Sequence, residues 1–137
     1  SRKSLSPKIT FVNNIIDDLR RRDFTMNSVA INLLDSSIND ILDPFNGIKA
    51  IKEKSLCAIH KLSYINDPTR IFRAARYMSR LNLLTCLNEE MMLKEAVKNI
   101  SALSQYSVDK EIKLIQEDKN PSAALQLLKS WGYYLNR

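Results

Sequence analysis

Glycine occurs twice, proline four times and histidine once in the 137 residues of this chain. So little turn chemistry excludes a many-stranded all-β sandwich or barrel and favours helices. The two cysteines, Cys57 and Cys86, lie far apart with no Cys-x-x-Cys, and His60 is the one imidazole. A zinc site lacks its ligands, and a reduced cytoplasmic chain is the default expectation. No apolar run approaches the roughly 18 residues of a membrane span, and no signal-peptide pattern is present. Acids are in deficit too, 15 against 21 Lys and Arg, for a formal charge of +6. That balance suits an anionic partner such as nucleic acid or a nucleotide, and equally a basic soluble protein with none.

What is present is enough apolar sequence, 45% of the chain, to fill the core of one domain or of two abutting parts. Residues 1–10 are polar and basic and read as a tail or loop. From Asp23 the spacing of Phe24, Val29, Ala30, Ile31, Leu33 and Leu34 predicts a helix through about Leu34. Residues 35–40, DSSIND, are turn chemistry. DILDPFNGI then reads as a short strand closed by an Asp-Pro-x-x-Gly turn, and SLCAIH as a second extended piece. Beyond Asn66 the pattern is helical throughout. Asp67-Pro68 is a helix start, with Ile71, Ala74, Ala75, Met78 and Leu81 on one face and no breaker before Asn82. Further helices are expected at 88–100, 107–118 and 121–134, the last with Asn120 as cap and Pro121 in its first turn.

Two clusters could carry chemistry. Arg70, Arg73, Arg76 and Arg80 cover about a third of the circumference of the helix after Asp67. No acid lies between Thr69 and Asn88 to pair with them at i+3 or i+4, and two sit against the helix dipole. Unpaired arginines so placed suit an external anion, and guanidinium matches phosphate and base edges with a planar fork; a merely solvated basic face is the alternative. The second cluster is DLRRRDFTMNS, Asp18–Ser28. Asp18 and Asp23 can neutralise Arg20–Arg22 as a capped, compensated helix start. Equally, an arginine and backbone N–H groups can face phosphate while Asp23 accepts from sugar hydroxyls. His60 beside Cys57 reads as a strand-end residue; Trp131, Tyr133 and Tyr134 as a packed helix end or base-stacking groups; Met91 and Met92 as packing.

Three strings occur in order: RRDFTMN at 21–27, DPFNG at 43–47 and NDPTRIFRAARYMSRLNL at 66–83. Together they resemble the later motifs of the class II tRNA nucleotidyltransferases and bacterial poly(A) polymerases, over about residues 17–85. The third looks most like the tRNA enzymes that add the terminal A, or CC. The resemblance implies an α+β, mostly α fold, with the C-terminal part of a nucleotidyltransferase head in residues 1–62 and a helical neck with the first body helices in 63–137. It implies that Arg22 contacts phosphate, Asp23 the ribose, and that Asn27 lies close to the nucleotide. Asp67 and Arg70 would read the base, with Arg73, Arg76 and Arg80 supporting them or meeting RNA phosphate. Asp43, Pro44 and Gly47 would form a flexible link between head and neck. The implied partners are a tRNA 3′ end with ATP or CTP, and the implied cofactor is Mg²⁺.

Two departures qualify this. The base-reading motif usually begins Glu-Asp, where this chain has Asn66-Asp67. Two-metal transfer needs clustered carboxylates, which the family supplies as Asp-x-Asp after a Gly-rich turn, two acids on one face of a strand. No Asp-x-Asp and no Gly-Gly occur here, and Asp17-Asp18 would face opposite sides. The metal ligands are therefore expected outside this chain, which is read as an internal part of a longer enzyme, inactive alone. A non-catalytic RNA- or nucleotide-binding module, a poly(A) polymerase fragment and a helical adaptor are the alternatives.

Overall fold

A computed structural model of the chain describes residues 7–31 and 41–135. The predicted helix from Asp23 is not there. Helix α1 spans Pro7–Arg20 instead, starting within the stretch expected to be a tail. Ile15, Ile16 and Leu19 give it the i, i+3, i+4 spacing of a buried stripe, and Leu19 is buried. After it comes a 3₁₀ turn at Thr25–Asn27 and a two-residue strand β1, Ala30–Ile31. Competing backbone partners decide this segment: Thr25 N donates to Cys57 O at 2.9 Å, and Phe24 bridges Ala58. Both claim groups that a continuing helix would have used internally. Residues 32–40, including the DSSIND turn, lie outside the described residues.

Strand β2, Ile41–Leu42, pairs antiparallel with β1. The Asp43–Gly47 turn then closes on its own acid: Asp43 accepts from Gly47 N at 2.6 Å and from Ile48 N at 3.1 Å, satisfying the first amides of helix α2, Gly47–Lys52. Gly47 is set by space and not by backbone angle. A Cβ there would stand 2.1 Å from Thr25 O and 2.7 Å from Val29 Cγ2. Strand β3, Ser55–Leu56, follows, then the short helix α3, Ser63–Asn66.

Helix α4, Thr69–Leu81, organises the rest. Ile71, Phe72, Ala74, Ala75 and Met78 are buried, and the apolar face packs on α6, Gln105–Gln116, and α7, Pro121–Trp131. It ends where Asn82 takes the left-handed conformation (φ 55°), as the sequence anticipates. Strand β4, Leu84–Thr85, pairs parallel with β3, and helix α5, Glu89–Ala96, leads through a 3₁₀ turn at Val97–Ala102 to α6. Ser104 accepts from Ser107 N at 3.1 Å and Asn120 from Ala123 N at 3.3 Å, capping α6 and α7. One hydrophobic core joins Phe24 and Leu56 to residues of α4–α7. Trp131 is buried, and Tyr133 meets Phe72 edge-on at 5.3 Å, while Tyr134 is exposed. Met92 packs as expected, but Met91 is 70% exposed, turned away by the helical rotation that buries Leu93 and Ala96.

A buried carboxylate braces these parts. Glu89 accepts from Ala58 N at 2.8 Å, from the Tyr64 hydroxyl and from Cys86 Sγ at 3.7 Å. Burial raises its pKa above the ordinary carboxylate value against the opposing pull of those donors.

The close approach at Gly47 gives a direct test. Gly47→Ala should lower the urea unfolding free energy by about 2–3 kcal/mol, because backbone must move to admit the methyl. A loss below about 0.5 kcal/mol would mean that α2 is not seated on the Thr25 turn as described.

Candidate functional site

At the end of α1 the chain unwinds, and the arginine run projects from that corner. Arg20 pairs with Asp17 at 3.1 Å and Arg22 with Asp18 at 2.9 Å, both largely in solvent. Such pairs contribute about 0–1 kcal/mol, so Arg22 can leave its acid for a more highly charged anion. Asp23 is different: it is 4% exposed. Its Oδ1 accepts from Phe24 N at 2.8 Å and Asn27 Nδ2 at 3.1 Å, which fixes the carboxylate on the 3₁₀ turn. Ser28 Oγ closes the turn onto Leu19 O (3.0 Å) and Phe24 O (3.2 Å).

Helix α4 supplies the facing wall. Asp67 Oδ1 accepts from Thr69 N at 3.1 Å and Thr69 Oγ1 at 2.5 Å, doing the capping work expected of it. Its Oδ2 lies 3.8 Å from Arg70 Nε. The Arg70 fork donates to Ser63 O at 3.3 Å and to Arg21 O at 3.0 Å, so this guanidinium is tied to backbone on both walls. Arg73 Nη2 sits 2.7 Å from Asp23 Oδ2 and donates to Tyr77 Oη at 3.1 Å. The contact with Asp23 is one of charge: no N–H is directed along it, and Oδ2 is a buried acceptor without a hydrogen bond. Burial opposes the charge on Arg73, but Tyr77 and Asp23 outweigh it and hold its pKa above the ordinary value.

These side chains enclose a recess of about 370 Å³, with Arg21, Arg22, Asp23 and Asn27 on one side and Asp67, Arg70, Arg73 and Tyr77 on the other. The structure thus brings together six of the residues singled out from sequence. Arg76 and Arg80 are not among them. They are not unpaired either, which corrects the expectation: both reach Asp118, at 3.6 and 3.3 Å. No acid stands at helical spacing from them, and this one arrives from the α6–α7 turn. Asp43, Pro44 and Gly47 do not line the recess. His60 is exposed on the loop before α3.

Tyr77 and Asp118 are not singled out by the sequence, and Arg21 stands there only as one of the Arg20–Arg22 run. Tyr77 had a readable signal, being an aromatic four residues after Arg73; its ring lies 5.7, 5.0 and 5.1 Å from the guanidinium carbons of Arg73, Arg76 and Arg80. Asp118 had none, since only the fold carries it to α4.

The recess does not fit a two-metal centre. Among the described residues no three His, Cys, Asp or Glu side chains converge as a metal site. Its two acids are engaged, Asp23 with Arg73 and Asp67 with Thr69. Nor does any helix of the described residues have the length and apolarity to cross a membrane.

Residues 2–57 match the family model described as the poly A polymerase head domain. The A-adding tRNA nucleotidyltransferase of Aquifex aeolicus is 38% identical over 118 residues, covering 86% of this chain and 14% of that protein. The Thermotoga maritima CCA-adding enzyme complexed with tRNA superposes with a TM-score of 0.77 at 32% identity, over 88% of this chain and 32% of the other. A CCA-adding enzyme in complex with CTP gives 0.80 at 32% identity, over 93% and 31%. The chain therefore spans about a third or less of the length of these three proteins.

Asp118→Asn leaves two partly buried guanidiniums without their acid and should cost about 1–3 kcal/mol in urea unfolding, discounted for the exposure of Arg80. Unchanged stability would mean that these arginines are held by α4 alone.

Proposed function

The chain belongs to the class II tRNA nucleotidyltransferase and bacterial poly(A) polymerase family, and on that premise we propose that its recess selects the incoming nucleotide for a tRNA-terminal transferase. The reaction would be transfer of AMP or CMP from ATP or CTP to a tRNA 3′ end. The names of the relatives, which include an A-adding enzyme and complexes with CTP and with tRNA, support this reading.

One observation carries it: Arg22, Asp23 and Asn27 on one wall face Asp67 and Arg70 on the other across a single recess. In this reading Asp23 accepts from a ribose hydroxyl, Asn27 keeps its carboxylate in register, and Arg22 exchanges Asp18 for phosphate. Asp67 Oδ2 accepts from an exocyclic amine, and the Arg70 guanidinium donates to the neighbouring ring nitrogen. Cytosine and adenine present that amine-plus-acceptor pair, while uracil and guanine present a carbonyl beside a ring N–H, the reverse polarity. Selection needs no nucleic-acid template, only two side chains held still. Arg70 meets that demand through its two carbonyl acceptors, and Arg73 supports Asp23 from behind. Arg76 and Arg80 contribute indirectly, fastening α4 to Asp118.

Transfer itself would need Mg²⁺, for which the described residues offer no ligand set, so the 137 residues alone are proposed to bind and discriminate without reacting. The domain reading accompanies this: a head-derived part through residue 62, and neck and body helices from 63. Calorimetric titration of the four ribonucleoside triphosphates should show ATP and CTP binding more tightly than GTP and UTP. Arg70→Ala should erase that preference by about 1–3 kcal/mol while sparing the phosphate contribution. Equal affinity for all four in the wild type would reject base reading. Steeply salt-dependent RNA binding without nucleotide binding would favour a non-catalytic RNA module, and incorporation of labelled AMP or CMP into tRNA would refute inactivity.

A further inference from the structure

The parallel pairing of β3 with β4 matches Ser55 to Leu84 and Leu56 to Thr85. The next position on each strand is a cysteine. Cys86 N donates to Leu56 O at 3.1 Å, carrying the ladder one step past the named strands. Paired positions on neighbouring strands point to the same face, about 4.7–4.9 Å apart, inside the Cα separation that a disulfide spans. Both thiols are free and half-buried. No third ligand joins them as a metal site among the described residues.

We propose that Cys57 and Cys86 form a modification site, closed to an intramolecular disulfide by a low-molecular-weight disulfide oxidant such as oxidised glutathione. In the first step a cysteine thiolate attacks one sulfur of the oxidant and expels a glutathione thiolate, leaving a mixed disulfide. In the second, the other cysteine attacks the protein sulfur of that mixed disulfide and expels the second glutathione. Two thiols become one disulfide, and two electrons and two protons end on two molecules of reduced glutathione. Burial, with the neighbouring Cys57 and the Glu89 carboxylate, holds the Cys86 thiol well above its ordinary pKa, so Cys57 is the thiol that attacks the oxidant first and Cys86 the resolving one. The Glu89 network tolerates the loss of the Cys86 S–H, because Ala58 N and the Tyr64 hydroxyl still donate to that carboxylate.

The bridge would fasten the two walls of the recess. Cys57 O accepts from Thr25 N at 2.9 Å, in the turn that carries Asp23 and Asn27, and Cys86 follows α4. The loop it closes contains the whole of α4, with Arg70, Arg73 and Tyr77.

The test compares the wild-type chain with Cys57→Ser and Cys86→Ser during incubation with oxidised glutathione, reading free thiols, intact mass and a non-reducing peptide map. Circular dichroism checks that each variant is folded. The wild type should lose both thiols, fall in mass by about 2 Da with no glutathione retained, and yield a Cys57–Cys86 peptide that dithiothreitol reopens. Cys86→Ser should trap one glutathione on Cys57, and Cys57→Ser should react more slowly. A wild-type chain that retains two glutathiones, links to a second chain, or keeps both thiols free would overturn the proposal.

Discussion

The contact of Asp23 with Arg73 joins two pieces of chain that local structure would leave independent. A carboxylate with 4% exposure is costly to bury unless a charge stands beside it, and the charge that stands beside it comes from α4, fifty residues on. Fixing Asp23 fixes Asn27 and the 3₁₀ turn through Oδ1. Fixing Arg73 positions Tyr77, whose ring then serves three guanidiniums. Arg70 repeats the link with a neutral acceptor, reaching across to Arg21 O. The recess exists because these two ties hold its walls apart at a set distance.

The same helix faces two ways. Its apolar stripe sinks Ile71, Phe72, Ala74, Ala75 and Met78 into the core, and its opposite stripe presents arginines at spacings of three and four. Those arginines divide by the acid each one meets. Arg73 turns to Asp23 at the recess, and Arg76 and Arg80 turn to Asp118, which anchors α4 to the turn between α6 and α7. Charge on this helix is thus partly recognition and partly scaffold, and the acids, each from a different element, decide which. Glu89 plays a similar bracing part below, gathering Ala58, Tyr64 and Cys86 around one carboxylate.

Helix α4 and its ends were legible in sequence because everything that defines them is local: Asp67-Pro68 before it, an unbroken apolar period, and Asn82 after it. Whereas α6 begins two residues before the expected 107 on an unanticipated Ser104 cap, the Asn120 cap of α7 and the Asp43 turn read equally well, for the same reason. The segment after Asp23 did not, since its backbone groups are claimed by Cys57 and Ala58, more than thirty residues away, and no local pattern announces them. Asp67, Arg70, Asp23 and Asn27 could be picked out as residues, but their meeting in one recess depends on the non-local Arg73–Asp23 and Arg70–Arg21 contacts. The pairing of Arg76 and Arg80 was hidden for a related reason: Asp118 is thirty-eight residues from Arg80 and neighbours it only once α6 has folded back.

The measurement that tests this account most directly is a double-mutant cycle on Asp23 and Arg73. Urea unfolding of Asp23→Asn, Arg73→Met and the double variant isolates the energy that passes between the two side chains. With Arg73 partly exposed, the predicted coupling is about 1.5–3 kcal/mol, the double variant losing clearly less than the sum of the single losses. Losses that add within about 0.5 kcal/mol would contradict it, since the two walls would then be held by something other than this pair.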